Sequence, residues 1–221
     1  MLLGPGERCH QRTTGAIVSW SGLDERERAG VGRPGPDAPA NVGEDRPQGG
    51  TRDAGAASPG RVAVVIVNWN GWQDTVECLE SLFRGDVIPD IVIVCDNQSS
   101  DGSLERIREW AEGAFSVYLP LENPLRRFVV PGVGKPIPVV EYDRETAEGG
   151  GTPEREAARL VLIRTGGNLG FAGGNNVALR YLLARGWSEP IWLLNPDTVV
   201  EPGAARELLA VLAADERVGM C

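Results

Sequence analysis

The chain has 221 residues, 42% of them apolar, enough for one domain of ordinary size with a packed core. Its 22 Lys and Arg against 31 Asp and Glu leave a net charge of −9, so no basic field exists to hold nucleic acid or an anionic membrane surface. A single histidine, His10, and four cysteines without a CxxC pair exclude imidazole-based triads and His-rich zinc sites; carboxylates remain as acid or base, and the thiols read as reduced and cytosolic.

Residues 1–60 carry 12 of the 29 Gly and 6 of the 16 Pro around one small apolar cluster, Ile17, Val18, Trp20 and Leu23. So little buriable surface does not offset chain entropy, and a disordered extension is expected there, with a mistaken translation start or a partner-binding tail as the alternatives. Order is expected from Arg61. The run Val-Ala-Val-Val-Ile-Val at 62–67 is β-branched throughout, the pattern of a strand buried on both faces. Asp74 and Glu77 then read as a capping box ahead of Val76, Leu79, Leu82 and Phe83 at helical spacing. A second buried strand is expected at 91–95, followed by a helix capped by Asp101 with Leu104, Ile107 and Trp110 as its apolar stripe.

Residues 115–119 read as a short extra strand, and 120–159, rich in Pro and ending on a Gly triplet, as a long insertion without periodicity. Within it, residues 141–145 read as a solvated stretch or a lid. A third strand at 160–164 leads into a Gly/Asn-rich turn and a helix around Ala178, Tyr181 and Leu182; a fourth at 191–194 precedes a helix entered at Pro202. Strands alternating with helices predict an α/β fold: an open, mostly parallel sheet with flanking helices. No apolar run approaches the roughly 18 to 20 residues of a membrane span, and the start lacks a signal-peptide pattern. The expected location is the cytoplasm, with peripheral attachment to a membrane left open.

In open α/β sheets ligands bind beyond the carboxyl ends of the strands. Here those ends carry Asn68-Trp69-Asn70-Gly71, Asp96-Asn97-Gln98-Ser99-Ser100-Asp101-Gly102 and Asn195-Pro196-Asp197, with a glycine-rich turn at 166–176. Glycines and a helix N-terminus suit a diphosphate, yet the spacing matches neither GxGxxG nor a P-loop. The bland readings stand beside these: turn and cap residues for the carboxylates, close packing for the glycines, and packing roles for Trp69, Trp72 and Trp192.

Four segments in order, 62–70, 94–103, 168–175 and 195–197, resemble the nucleotide-sugar half of family 2 glycosyltransferases of GT-A fold, and most of all the rhamnosyltransferase-like branch. The resemblance covers about residues 61–221. It implies transfer of a sugar from a UDP- or dTDP-type donor to a hydroxyl acceptor, glycan, lipid-linked or other, with inversion, as in polysaccharide biosynthesis. It assigns Asp96 to the imide N–H of the base, with Asn68 and Asn70 along that base. Asn168, Gly173 and Asn175 fall around the ribose, diphosphate or sugar, and Asp197 on Mg²⁺ or Mn²⁺ that bridges the diphosphate. Asn195 stands where many relatives carry a first aspartate, which removes one charge at the metal and leaves Asn195 to a ribose hydroxyl or a metal-bound water.

Transfer also needs a carboxylate base near the acceptor, which in that family comes well after the metal aspartate. The expectation is a truncated chain that holds the donor half and lacks the base. Two other readings remain open: a nucleotide-binding or interaction module without turnover, and a sugar nucleotidyltransferase. The latter calls for a basic, Gly-rich loop after the first strand, where residues 68–71 carry no Lys or Arg.

Overall fold

Alternation within uninterrupted apolar runs sets the architecture. In the computed structural model, which describes residues 16–18, 60–152, 158–215 and 217–221, Ala63–Asn68 (β2) and Ile91–Asp96 (β3) are buried along nearly their whole length. Val62, Val64, Ile66, Val92 and Val94 face one core; Ala63, Val65, Val67, Ile93 and Cys95 face another. A sheet covered on both sides needs apolar side chains at every position, and these β-branched runs supply them.

Helices α1 (Trp72–Leu82), α2 (Ser103–Glu112) and α6 (Ala204–Ala214) close the first core; α4 (Arg144–Glu148) and α5 (Gly170–Ala184) close the second. With β1 (Ala16–Val18), β4 (Val139–Asp143), β5 (Leu160–Arg164) and β6 (Ile191–Leu194), the strand order is β1-β6-β2-β3-β5-β4. Strands β4, β5, β3, β2 and β6 run parallel and β1 antiparallel to β6. The expected open α/β sheet is present, with one more parallel strand than the sequence reading counted.

The departures have physical causes. Ala16–Val18, inside the stretch expected to be disordered, pairs with β6 and so covers backbone groups of a strand that would otherwise end the sheet; residues 1–15 and 19–59 lie outside the described residues. Residues 115–119 form no strand: Phe115 instead sets its ring edge against Trp72 at 5.8 Å, and Leu119 tucks inward. The long insertion, read as lacking periodicity, holds the short helix α3 (Arg126–Val129), β4 and α4. In β4 only Val140 and Tyr142 are buried, so its alternation is masked by Glu141 and Asp143; Glu141, expected in solvent or a lid, pairs with Arg108 and Arg164. Helix α1 starts at Trp72 without a side-chain cap, two residues ahead of the expected box; the cap of α2 is Gly102 rather than Asp101, which from one residue earlier accepts from the Ser103 N–H at 3.1 Å. Pro202 sits in the turn before α6 rather than in its first position.

The proline-rich connector before β4 is tied down by a buried carboxylate. Glu80 of α1, 1% exposed, accepts from Trp110 Nε1 (2.8 Å), the Val133 N–H (2.7 Å) and Lys135 Nζ (3.1 Å), while Lys135 also lies 3.7 Å over the Trp110 ring. Burial lowers the Lys135 pKa, and the Glu80 charge works against that fall. Breaking one side of a buried pair leaves the other uncompensated. Glu80→Ala is therefore expected to cost about 3–5 kcal/mol, read as a lower urea midpoint at unchanged slope. Replacing Lys135 as well removes only the unpaired ammonium; Trp110 Nε1 and the Val133 N–H still lack their acceptor, so the double variant is expected to recover only part of that loss.

Candidate functional site: the carboxyl rim of the sheet

Because the strands are apolar to their ends, polar chemistry collects where they stop. Neighbouring strands β5, β3, β2 and β6 all point their carboxyl ends at one rim. The four segments singled out in the sequence follow these strands. Strand β3, which ends at Asp96, and strand β6, which ends three residues before Asp197, are separated by β2 alone and so run about 10 Å apart.

The β2 and β3 ends are laced together. Asn68 is fully buried and bonds through both ends of its amide: Nδ2 donates to Asp96 Oδ1 at 2.8 Å and Ser99 Oγ at 3.1 Å, and Oδ1 accepts from Thr75 Oγ1 at 2.9 Å. Asp96, 6% exposed, also takes the Ser99 N–H on Oδ2 at 3.0 Å. Each carboxylate oxygen thus keeps a lone pair for a ligand. Asn68 holds Asp96 in orientation and, fully buried with both amide hydrogens used, has no donor left for a base. Asn70, exposed at φ +51°, accepts from the Ser100 N–H at 2.7 Å, and its own N–H meets Ser99 Oγ at 2.8 Å; Asn tolerates this left-handed conformation better than most residues.

Beyond β5, the expected Gly/Asn turn is largely helix, since α5 begins at Gly170. Asn168, exposed, accepts from the Gly170 N–H at 3.0 Å. Asn175 is buried in the second turn and donates back to the Phe171 carbonyl at 2.9 Å. Gly173 abuts Leu169, and a Cβ on Gly174 would come within 2.7 Å of Val67 Cγ1 and 3.2 Å of Asn97 Nδ2. Close helix-to-sheet packing explains Gly174, whereas Gly173 is confined by Leu169 at the start of its own helix. Asn97 fastens the same junction by donating to the Gly170 carbonyl at 3.0 Å.

After β6 the turn is anchored on α1. The Cys78 thiol donates to the Asn195 carbonyl at 3.8 Å, Ser81 Oγ donates to the Cys78 carbonyl at 2.8 Å, and the Val200 N–H donates to Ser81 Oγ at 2.9 Å. Asn195 is half-buried and Asp197 exposed. Burial, and then the Asp197 charge, push the Cys78 thiol far above its ordinary value; burial first, with the Asp96 charge adding to it, pushes Cys95 up to about 12. Among the described residues no three His, Cys, Asp or Glu side chains gather into a metal cage. A lone exposed carboxylate such as Asp197 would offer a divalent ion a single protein ligand.

Two residues stand out that the sequence reading set aside. Trp69, read as packing, is 60% exposed beside Asn68, and Phe171 at the start of α5 is 58% exposed. Periodicity gave no signal for either, since both lie outside an apolar stripe. Trp72 and Trp192 do pack. Two grooves of about 290 Å³ lie at the opposite, amino-terminal edge, one lined by Phe83, Ile88 and Ile137, the other by Arg61, Asp90 and Trp187. Neither is lined by the rim residues.

No protein-family model and no curated protein matches the chain. Among solved structures it is similar to residues 1–349 of S. aureus TarS, a glycosyltransferase, at 14% identity and a TM-score of 0.39. That likeness covers 71% of this chain and 33% of the other, so the chain spans about a third of the TarS structure. The functional reading rests on the rim itself. No helix among the described residues is long and apolar enough to cross a membrane.

Asn68→Leu strands Asp96 Oδ1 and Thr75 without their partner and is expected to destabilise by about 2–4 kcal/mol in urea unfolding. The raised thiol values have a separate consequence. In a Cys9→Ser/Cys221→Ser background at pH 8, Cys78 and Cys95 are expected to stay protonated and to resist Ellman's reagent until the protein unfolds. Fast reaction of either in the folded state would contradict its burial.

Proposed function

We propose that this rim binds the nucleoside diphosphate of a UDP- or dTDP-sugar and supplies the donor side of sugar transfer to a hydroxyl acceptor. The observation that carries the reading is the Asp96 carboxylate: desolvated, oriented by Asn68 and Ser99, and free to accept one more bond on each oxygen. A carboxylate so held favours a ring N–H, as uracil and thymine present, and repels the unprotonated N3 of cytosine or N1 of adenine. Trp69 offers an exposed indole face beside it for stacking the base.

A phosphorylated ligand of an acidic chain needs local positive charge. We assign Asp197 to a divalent ion, Mg²⁺ or Mn²⁺, which when bound with the donor neutralises the departing diphosphate. Asn195 contributes hydrogen bonds without a second charge, so the ion's affinity rests on the donor phosphates as much as on protein. The α5 N-terminus, with Asn168 ordering its first N–H, adds the favourable end of a helix dipole on the same rim. The neutral turn at 68–71 offers no cation to a triphosphate, which disfavours the nucleotidyltransferase reading.

Thermal-shift and calorimetric titration test this directly. UDP or dTDP, with Mn²⁺, is expected to raise Tm where CDP and NADH do not. Asp96→Asn should weaken that binding about 10- to 100-fold, the scale of a hydrogen bond to a charged group. Asp197→Asn should abolish the Mn²⁺-dependent part alone. Stabilisation by NADH with none by UDP or dTDP would overturn the assignment.

A further inference from the structure

Of the two grooves at the amino-terminal edge of the sheet, one has its cations already matched. Arg61 pairs with Asp90 at 2.8 Å and lies 4.7 Å over the Trp187 ring, and Arg185 donates to the Gly150 carbonyl at 3.2 Å. The other groove differs. Its volume is about 290 Å³, and apart from Gly134 it is lined by Phe83, Ile88, Val133, Pro136, Ile137 and Pro138, with Arg159 as its one charged residue. Arg159 is exposed, and among the described residues its side chain meets no carboxylate, carbonyl or ring. Every other described arginine has at least one such partner.

We propose that this groove is a second ligand site, independent of the rim, that takes a small amphipathic monocarboxylate: an apolar body against Phe83, Ile88 and Ile137, and a carboxylate on the Arg159 guanidinium. The walls are fixed by the fold itself. Pro136 and Pro138 restrict their own backbone, the Ile137 N–H donates to the Ala111 carbonyl at 2.8 Å, and Glu80 holds the Val133 N–H at 2.7 Å. Opposite, Phe83 caps the end of α1, and the turn carrying Ile88 is held by the Asp86 N–H on the Pro202 carbonyl (2.9 Å) and the Asp90 N–H on the Val62 carbonyl (3.0 Å). The Arg159 backbone is fastened as well, donating to the Pro138 carbonyl at 3.0 Å and accepting from the Val92 N–H at 2.9 Å, so only its side chain is uncommitted. Ile88 is 48% exposed, and covering that apolar surface favours binding. A guanidinium meets a carboxylate through two parallel N–H···O bonds, and an apolar surround strengthens such a pair. The charge at the groove's border thus selects an anion and its lining selects a hydrocarbon, in a volume at the lower end of those that small-molecule sites use.

Octanoate and 1-octanol, which share a tail and differ in the charge, test this in the full chain by ligand-observed NMR titration and thermal shift. Octanoate is expected to bind saturably and to raise Tm, and to bind about tenfold more tightly than 1-octanol, the scale of a hydrogen bond to a charged group. Arg159→Gln is expected to keep the parent Tm, to remove that tenfold advantage and to leave 1-octanol unchanged. Ile88→Ser, at a half-exposed position, is expected to weaken both ligands alike, by about threefold. A lower Tm for Arg159→Gln without ligand would show the guanidinium to be paired within the fold and overturn the proposal. Failure of octanoate to saturate, equal losses of both ligands in Arg159→Gln, or octanoate binding untouched by either variant would overturn it too.

Discussion

A sheet buried on both faces has no interior place for polar chemistry, and that constraint arranges everything else in the molecule. Strands β2 and β3 are apolar until their last residues, Asn68 and Asp96, which lie opposite each other in the parallel register and bond through their side chains. Desolvating a carboxylate is costly unless hydrogen bonds compensate it. Asp96 meets that condition through Asn68 and the Ser99 N–H, and Asn68 in turn leans on Thr75 of α1. The orientation of one exposed lone pair therefore depends on a helix, two turns and the strand register together.

The same reasoning orders the neighbouring turns. On the β6 side, a thiol and a serine of α1 hold the Asn195–Val200 segment, so the position of Asp197 is inherited from helix packing rather than from its own turn. On the β5 side, Gly174 lets α5 approach Val67 and brings a helix N-terminus up to the rim. An acidic chain that gathers a carboxylate, amides and a helix end on one rim is suited to a ligand that supplies its own anionic group together with a cation.

Buried Glu80 shows a second use of the same economy. Its three donors come from α2 and from the proline-rich connector, so one carboxylate fastens a segment with little secondary structure of its own to the helical layer. Tyr142 acts likewise across the sheet: its hydroxyl accepts the Thr152 N–H at 3.2 Å, and its ring leaves no space for a Cβ at Gly151.

Sequence alone determined the parallel α/β layout and the four rim segments, because runs buried on both faces are continuously apolar and the polar residues after them have nowhere else to lie. It did not show β1 or β4: the first is three residues paired through backbone, and the second alternates with charges that find partners only across the fold, Glu141 with Arg108 and Arg164. Nor could spacing separate ligand-facing residues from supporting ones. Asn68 and Asn175 belong to the same motifs as Asp96, yet the tertiary structure spends their amides internally, while it leaves Trp69 bare. Which polar atoms stay free is decided by the neighbours that folding brings to them, some within one helix, as Phe171 is to Asn175, and some distant in the chain, as Asp96 is to Asn68.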